Sequence, residues 1–280
     1  MTLPGVHAAV LTPLTESLEP DAKKATAYYR DLLDQGCDGV VILGTTGEAM
    51  SFDVEQRLRF MEAIARSGLP RERITCGTGA ASLAGAVRLT RAAFDLGFAA
   101  ALVLPPFFYR DAGDEGILAF FDTLLARSNP RNGGILLYNF PRMSGITLRA
   151  PLVRRLVDAF AGIICGMKES SNDTTLQREV IERHEGFAVF PGSEAYLAQA
   201  RAYGAAGCIS GSVSLWPALA QAVFRTGDPA KEAALAQRRE RLSGVAFIPA
   251  VRRLTAVARD DASWERAMPP LTPLSPTSVL

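Results

Sequence analysis

Histidine is scarce in this chain: His7 and His184 are the only two among 280 residues. A histidine-rich metal centre or a triad built on a histidine base would have to be assembled from very little, so each histidine reads as a structural or surface residue. Cysteine is nearly as sparse. Cys37, Cys76, Cys165 and Cys208 lie far apart, form no CxxC pair and sit mostly in apolar stretches, which is the pattern of buried thiols and not of a disulfide framework or zinc site. Neither sign of charge is in excess, with 30 Lys and Arg against 29 Asp and Glu, so the electrostatic footprint of a nucleic-acid binder is missing. No apolar run approaches the roughly 18 residues that a bilayer span needs. The opening "MTLPGVHAAVLTPLTE" lacks the basic n-region of a secretory signal, and the expectation is a cytoplasmic protein with neither nucleic-acid nor membrane partners. A phosphate loop is missing too: "GTGAASLAG" (77–85) has no GK[ST] ending and does not match GxGxxG.

What the chain does contain is regular alternation. Short apolar, β-prone runs at 6–12, 39–44, 74–78, 100–105, 134–140, 163–168, 187–191 and 207–210 are separated by segments of helical period near 21–35, 53–67, 82–96, 114–128, 149–160, 174–184, 194–203 and 216–226. Several of these open on a cap-like Asp, Ser or Thr and are followed by Gly. In "SFDVEQRLRFMEAIARSG", Leu58, Met61, Ile64 and Ala65 share one helical face, while Glu55, Arg59 and Glu62 fall elsewhere, as in a helix packed on the outside of a sheet. Eight such units, with strands apolar along their whole length, predict an α/β fold of the (β/α)8 TIM-barrel class with additional C-terminal helices. The barrel is expected over residues 1–226. A helical extension over 227–280 is expected to pack on it as one structural unit, interrupted near Pro249 and ending in the extended, proline-rich "MPPLTPLSPTSVL".

In a parallel barrel the chemistry belongs at the C-terminal ends of the strands. Polar residues cluster there. Strand two runs into "GTTGE" (44–48), strand five ends in "YNFP" (138–141), strand six in "IICGMKESS" carries Lys168, and strand eight leads into "SGS" (210–212). Alternation puts Leu136 and Tyr138 on one face and Gly166 and Lys168 likewise, with the glycine expected to leave space for a ligand beside the lysine. A lysine on a buried strand has two readings. It forms a structural ion pair, with Glu169 or Glu48 as candidates, or it is a nucleophile made neutral by desolvation. At a pKa of about 10.4 only about one amine in 2,500 is neutral at pH 7, so a nucleophilic lysine gains from burial. A neutral amine attacks a ketone, and the protonated Schiff base that results stabilises a carbanion on the adjacent carbon. Loss of water on the way needs a proton shuttle, which suits Tyr138 poised by the hydroxyl of Thr45 or Thr46.

"GTTGE", "YNFP" and "GMKES", in that order and at those separations, resemble the dihydrodipicolinate synthase and N-acetylneuraminate lyase superfamily of pyruvate-dependent class I aldolases. The resemblance runs from "AAVLTPL" to "PAVRRLTA". It implies that Lys168 is the Schiff-base lysine and Tyr138 the proton-transfer tyrosine. Thr45 and Thr46 would hold the carboxylate of pyruvate or of a longer keto acid, and Ile209 would line the same pocket. No separate cofactor is implied, since the reactive group is the covalent lysine Schiff base; the partner is a small keto acid, and the assembly a homodimer or homotetramer. Glu48 has no chemical step in this scheme.

Two departures narrow the branch. Where the lysine-pathway synthase has an arginine two residues after the proline of its YNxP motif, this chain has Met143, with Arg142 offset by one. Where the synthase places a tyrosine that crosses the dimer interface, the match is Phe108, and Tyr109 substitutes only with a shift of register. "YNFPRMSG" and "PPFFYR" look more like the branch that cleaves 2-keto-3-deoxy sugar acids or related 4-hydroxy-2-keto acids. Gly192, Ser193, Glu194, Ser210, Ser212 and Arg142 are the candidates for substrate contact, each with helix capping or solvation as the alternative. The lysine-pathway synthase, a keto sugar acid dehydratase and a keto-acid-binding protein without turnover stay open as readings of the same residues.

Overall fold

The computed structural model describes residues 4–131, 134–275 and 278; the last part of the tail expected to be extended lies outside them. Among the described residues there are eight strands, β1 (Gly5–Ala9), β2 (Gly39–Ile42), β3 (Ile74–Gly77), β4 (Ala100–Val103), β5 (Ile135–Asn139), β6 (Ile164–Glu169), β7 (Ala188–Pro191) and β8 (Gly207–Ser210). All their ladders are parallel, in the order β7-β6-β5-β4-β3-β2-β1-β8. The seam between β7 and β8 is bridged where the Ala206 N–H donates to the Val189 carbonyl at 2.9 Å. The sheet is therefore a nearly closed barrel.

The helices are α1 (Ala22–Asp34), α2 (Val54–Ala65), α3 (Leu83–Asp95), α4 (Asp114–Ser128), α5 (Pro141–Ser144), α6 (Ala150–Ala159), α7 (Thr174–Arg183), α8 (Leu197–Ala202), α9 (Pro217–Thr226), α10 (Pro229–Glu240) and α11 (Phe247–Arg259). Asp21, Asp53, Ser82, Asp173 and Asp228 cap α1, α2, α3, α7 and α10 by accepting first-turn N–H groups, and Asp53 with Gln56 forms a capping box. Alternate strand residues divide two cores. Val41, Leu102, Leu136, Phe190 and Ile209 fill the barrel, whereas Val40, Ile42, Leu137, Met167 and Val189 meet the helices. Each such side chain removed from water contributes about 1.5–3 kcal/mol, which is why the strands carry apolar residues on both faces. His7 is part of the barrel filling, with its ring edge-on to Phe190 at 5.5 Å.

The extension is interrupted near Pro249, as expected, but Pro249 is not itself the break. It lies in the first turn of α11, where its missing N–H leaves no helical hydrogen bond unmade, and the break falls ahead of it at 241–246. α5 was not anticipated; it is one turn started by Pro141. The extension is tied to the barrel mouth through Arg252 of α11. This buried side chain donates from Nε to Glu48 at 2.5 Å, from Nη2 to the Thr12 carbonyl at 2.9 Å and from Nη1 to the Trp264 carbonyl at 3.2 Å. Glu48 also accepts the Met268 N–H at 2.9 Å. The acidic end of "GTTGE" is thus a buried ion pair that shapes the loop. Removing one partner of a buried pair strands the other, so Arg252→Ala is expected to lower the unfolding free energy by about 3–5 kcal/mol. Urea titration of the variant against the wild type measures this directly.

Candidate active site

Paired strands bring the two central residues together. Tyr138 of β5 lies directly opposite Lys168 of β6 in the ladder, and both belong to the inward-facing series, so they form the last layer at the C-terminal end of the barrel. Lys168 is 5 % exposed and Tyr138 4 %. The Lys168 Nζ donates to the Tyr138 hydroxyl at 3.2 Å and stands 4.4 Å from the centre of its ring. The same hydroxyl shares a hydrogen bond with Thr45 Oγ1 at 3.1 Å. Amine, phenol and hydroxyl form one chain along which a proton can move. Phe140 stacks on Tyr138 at 5.7 Å and fixes the plane of its ring.

Neither carboxylate suggested as an ion-pair partner for Lys168 serves as one. Glu48 is occupied by Arg252 and Met268; Glu169 points to the other face of β6 and accepts from Asn139 and Gln177. The expectation for Gly166 also changes. A Cβ there would stand 2.3 Å from the Ala188 carbonyl and 3.0 Å from Leu136 Cδ2, so the glycine permits close packing of β6 on β7 and does not leave a vacant space.

The loop bearing Thr45 and Thr46 is buttressed from three sides. Thr12 Oγ1 donates to the Gly47 carbonyl at 2.8 Å. Gly77 at the end of β3 abuts the Leu43 carbonyl so closely that a Cβ would come within 2.1 Å of it. Arg57 of α2, buried although the outer face of that helix is polar, donates to the Gly77 and Gly79 carbonyls at 2.9 Å each. Burial pulls its pKa down to about 10. Arg57 was missed in the sequence because its place in the helical period marks it only as inward-facing.

The remaining candidates divide. Ile209 lines the barrel interior beside Tyr138. Gly192 lies against Ser170, where a Cβ would meet Ser170 Oγ at 2.2 Å, and the buried Ser193 accepts the Ala195 N–H at 3.3 Å. Ser212 donates to Glu194 at 2.5 Å and lies 3.4 Å from Ser210. Arg239 of α10 donates to both serines and rests over Phe247 at 4.7 Å. These three candidates therefore bind one another and the extension, a role their spacing did not reveal because Arg239 lies 27 residues beyond Ser212. Gly211 links this cluster to the mouth, since a Cβ on it would stand 2.7 Å from Thr46 Oγ1 and 2.8 Å from Phe247. Arg142 is exposed on α5, and among the described residues it makes no hydrogen bond or ion pair with the others. Phe108 and Tyr109 are 75 % and 71 % exposed, outside the site of their own chain.

A lysine-bearing strand, a tyrosine partner and a threonine loop at the mouth of a parallel barrel can now be set beside known proteins. The profile of the "Dihydrodipicolinate synthetase family" matches residues 2–277. The chain belongs to that family. An uncharacterized DapA-like lyase of Chloroflexus aurantiacus is 35 % identical over 98 % of this chain and 93 % of that protein. The crystal structure of dihydrodipicolinate synthase from Agrobacterium tumefaciens str. C58 superposes with a TM-score of 0.91 at 29 % identity, covering 98 % of this chain and 95 % of the other. A variant of the Sulfolobus solfataricus 2-keto-3-deoxygluconate aldolase shares the fold, with a TM-score of 0.85 at 19 % identity over 98 % and 92 % of the two chains. Members of the dihydrodipicolinate synthetase family are pyruvate-dependent lyases, and this chain is a class I aldolase or lyase of that kind. Family members work through a lysine–pyruvate Schiff base without a metal cofactor. Among the described residues no group of three or more His, Cys, Asp or Glu side chains could hold a metal ion, and no helix is long and apolar enough to cross a membrane.

Three thiols lie outside this chemistry. Burial raises Cys37 and Cys76 to about 12 and Cys208 well above the ordinary thiol range. The geometry at Gly166 gives a direct check on the site. Gly166→Ala is expected to cost about 1–3 kcal/mol, the usual range for overpacking, and to displace Lys168 from Tyr138. Thermal unfolding measures the first effect and the rate of adduct formation with a keto acid the second.

Proposed function

We propose that the protein is a Schiff-base aldolase that cleaves a 2-keto-3-deoxy sugar acid, or a related 4-hydroxy-2-keto acid, to pyruvate and an aldehyde, or joins the two in reverse. The observation that carries this reading is the chain from Lys168 Nζ through Tyr138 OH to Thr45 Oγ1, with 3.2 Å and 3.1 Å between its members. Lys168 attacks C2 of the keto acid while the backbone and hydroxyls of Thr45 and Thr46 hold the C1 carboxylate; Ile209 and Gly192 line the rest of the pyruvate end. Tyr138 relays protons as the carbinolamine loses water to give the iminium. It then accepts the proton of the C4 hydroxyl as the C3–C4 bond breaks and the aldehyde departs. The bonding pair remains as the enamine, which is protonated at C3, and hydrolysis of the iminium returns pyruvate and Lys168.

Met143 and Phe108 support the sugar-acid branch over the lysine-pathway synthase, because each replaces a side chain that the synthase resemblance requires. The synthase reading is supported by likeness to synthases, among them the Agrobacterium tumefaciens enzyme at 29 % identity. Condensation of pyruvate with aspartate semialdehyde distinguishes the two. Ser193 and Arg142 remain candidates for the distal end of the substrate. The assembly proposed is a homodimer or homotetramer, with the exposed Phe108–Tyr109 pair, whose rings meet edge-on at 5.3 Å, as part of the contact.

The test is intact mass after incubation with pyruvate and borohydride, followed by peptide mapping. The expected result is one reduced adduct on Lys168, absent from Lys168→Ala, which should also have no measurable turnover. Tyr138→Phe should still form the adduct while turnover falls by about 10²–10⁴, the range for loss of a general acid–base group. An adduct on another residue, or none on folded wild type, would remove this reading. Introducing a charge with Tyr109→Glu should shift the protein toward monomer in sedimentation velocity.

A further inference from the structure

Each of the two motifs at the centre of the site contains a residue that the Schiff-base steps leave unused. They are Asn139, next to Tyr138, and Glu169, next to Lys168. In the β5–β6 ladder Asn139 faces Glu169 one rung beyond the Tyr138–Lys168 pair. Alternation sends this second pair to the outer face, where both residues are fully buried. A carboxylate in such a place is costly unless donors satisfy it. Here the donors are neutral: Asn139 Nδ2 at 3.2 Å, Gln177 Nε2 at 2.8 Å, the Ser171 N–H at 2.7 Å and the Ser171 hydroxyl. Asn139 Oδ1 in turn accepts the Leu148 N–H at 2.9 Å. On the far side, Tyr203 donates to Gln177 Oε1 at 2.5 Å, and burial above all keeps its phenol protonated by raising its pKa to about 12.

A second feature of the same ladder explains what this network is for. Ile135 pairs with Ile164 but Leu136 pairs with Gly166, so Cys165 is an extra residue on β6, three residues before Lys168. A bulge of this kind re-aims the side chains that follow it, and a slip of one residue would turn Lys168 to the outer face. We propose that Asn139 and Glu169, held by Gln177, are positioning residues that lock the strand register just above the bulge and so set the separation of Lys168 Nζ from Tyr138 OH. This inference rests on the Schiff-base reading above. Neither residue touches substrate; both act through the neighbouring rung.

The experiment follows the rate of borohydride-trapped adduct on the full chain at saturating pyruvate, together with the pyruvate concentration at half-saturation. Asn139→Ala and Glu169→Gln are expected to slow trapping by about 10–100-fold, as a misplacement on the order of 1 Å does, with half-saturation changed by less than about twofold. Exchanging the two groups, Glu169→Gln with Gln177→Glu, keeps an amide donor facing a carboxylate and should restore trapping to within about threefold of wild type, the mark of coupled neighbours. Ser171→Ala, at an exposed serine, should slow trapping by about two- to fivefold for one lost hydrogen bond and covers the case in which a buried variant fails to fold. Wild-type trapping rates in folded single variants would overturn the inference while leaving the Schiff-base reading intact. An exchange variant that folds but stays as slow as Glu169→Gln would also overturn it, because charge and not hydrogen-bonded position would then be at work. No adduct in the wild type would remove the parent reading and this one with it.

Discussion

A buried amine must find a partner, and in this barrel the hydrogen bond from Lys168 to Tyr138 is the contact around which the mouth is organised. The barrel interior is filled by apolar side chains from alternate strand positions, which leaves only the last layer for polar groups. Lys168 in that layer is almost fully withdrawn from water, and its hydrogen bond goes to a phenol on the adjacent strand. The two nearby carboxylates, Glu48 and Glu169, are instead turned away and bound elsewhere. The amine therefore faces a phenol and not a carboxylate.

The helices beyond the eighth βα unit hold that layer in place from outside. Arg252 reaches through to Glu48 and so fixes the end of the threonine loop, and Arg239 reaches Ser210 and Ser212 beyond β8. Between them Gly211 fits against both Thr46 and Phe247. The extension therefore braces the loops at the barrel mouth, and it adds to stability through buried pairs that are costly to break singly.

Membership of the dihydrodipicolinate synthetase family establishes the kind of chemistry and leaves the substrate open. Lys168, Tyr138 and Thr45 are joined by hydrogen bonds at the mouth of the barrel. Met143, Phe108 and Arg142 lie exposed at the surface. Three of the polar groups that looked free to bind a hydroxylated tail, Glu194, Ser210 and Ser212, are largely committed to one another and to Arg239.

Strand and helix order, the barrel class, and the fact that Tyr138 and Lys168 face inward were all legible from periodicity, because a side chain's face on a strand or helix is a local property. The conjunction of three short motifs at strand ends was legible for the same reason. What only the tertiary structure decided was who meets whom across long separations. Arg252 and Glu48 are 204 residues apart, and nothing local marks either as the other's partner. Gly166 read as space for a ligand because a single strand does not display the Ala188 carbonyl of the next one. Pro249 marked the neighbourhood of a break, but the residue alone does not say whether it opens a helix or ends one. Periodicity gives the direction of each side chain; only closing the barrel gives the atom it reaches.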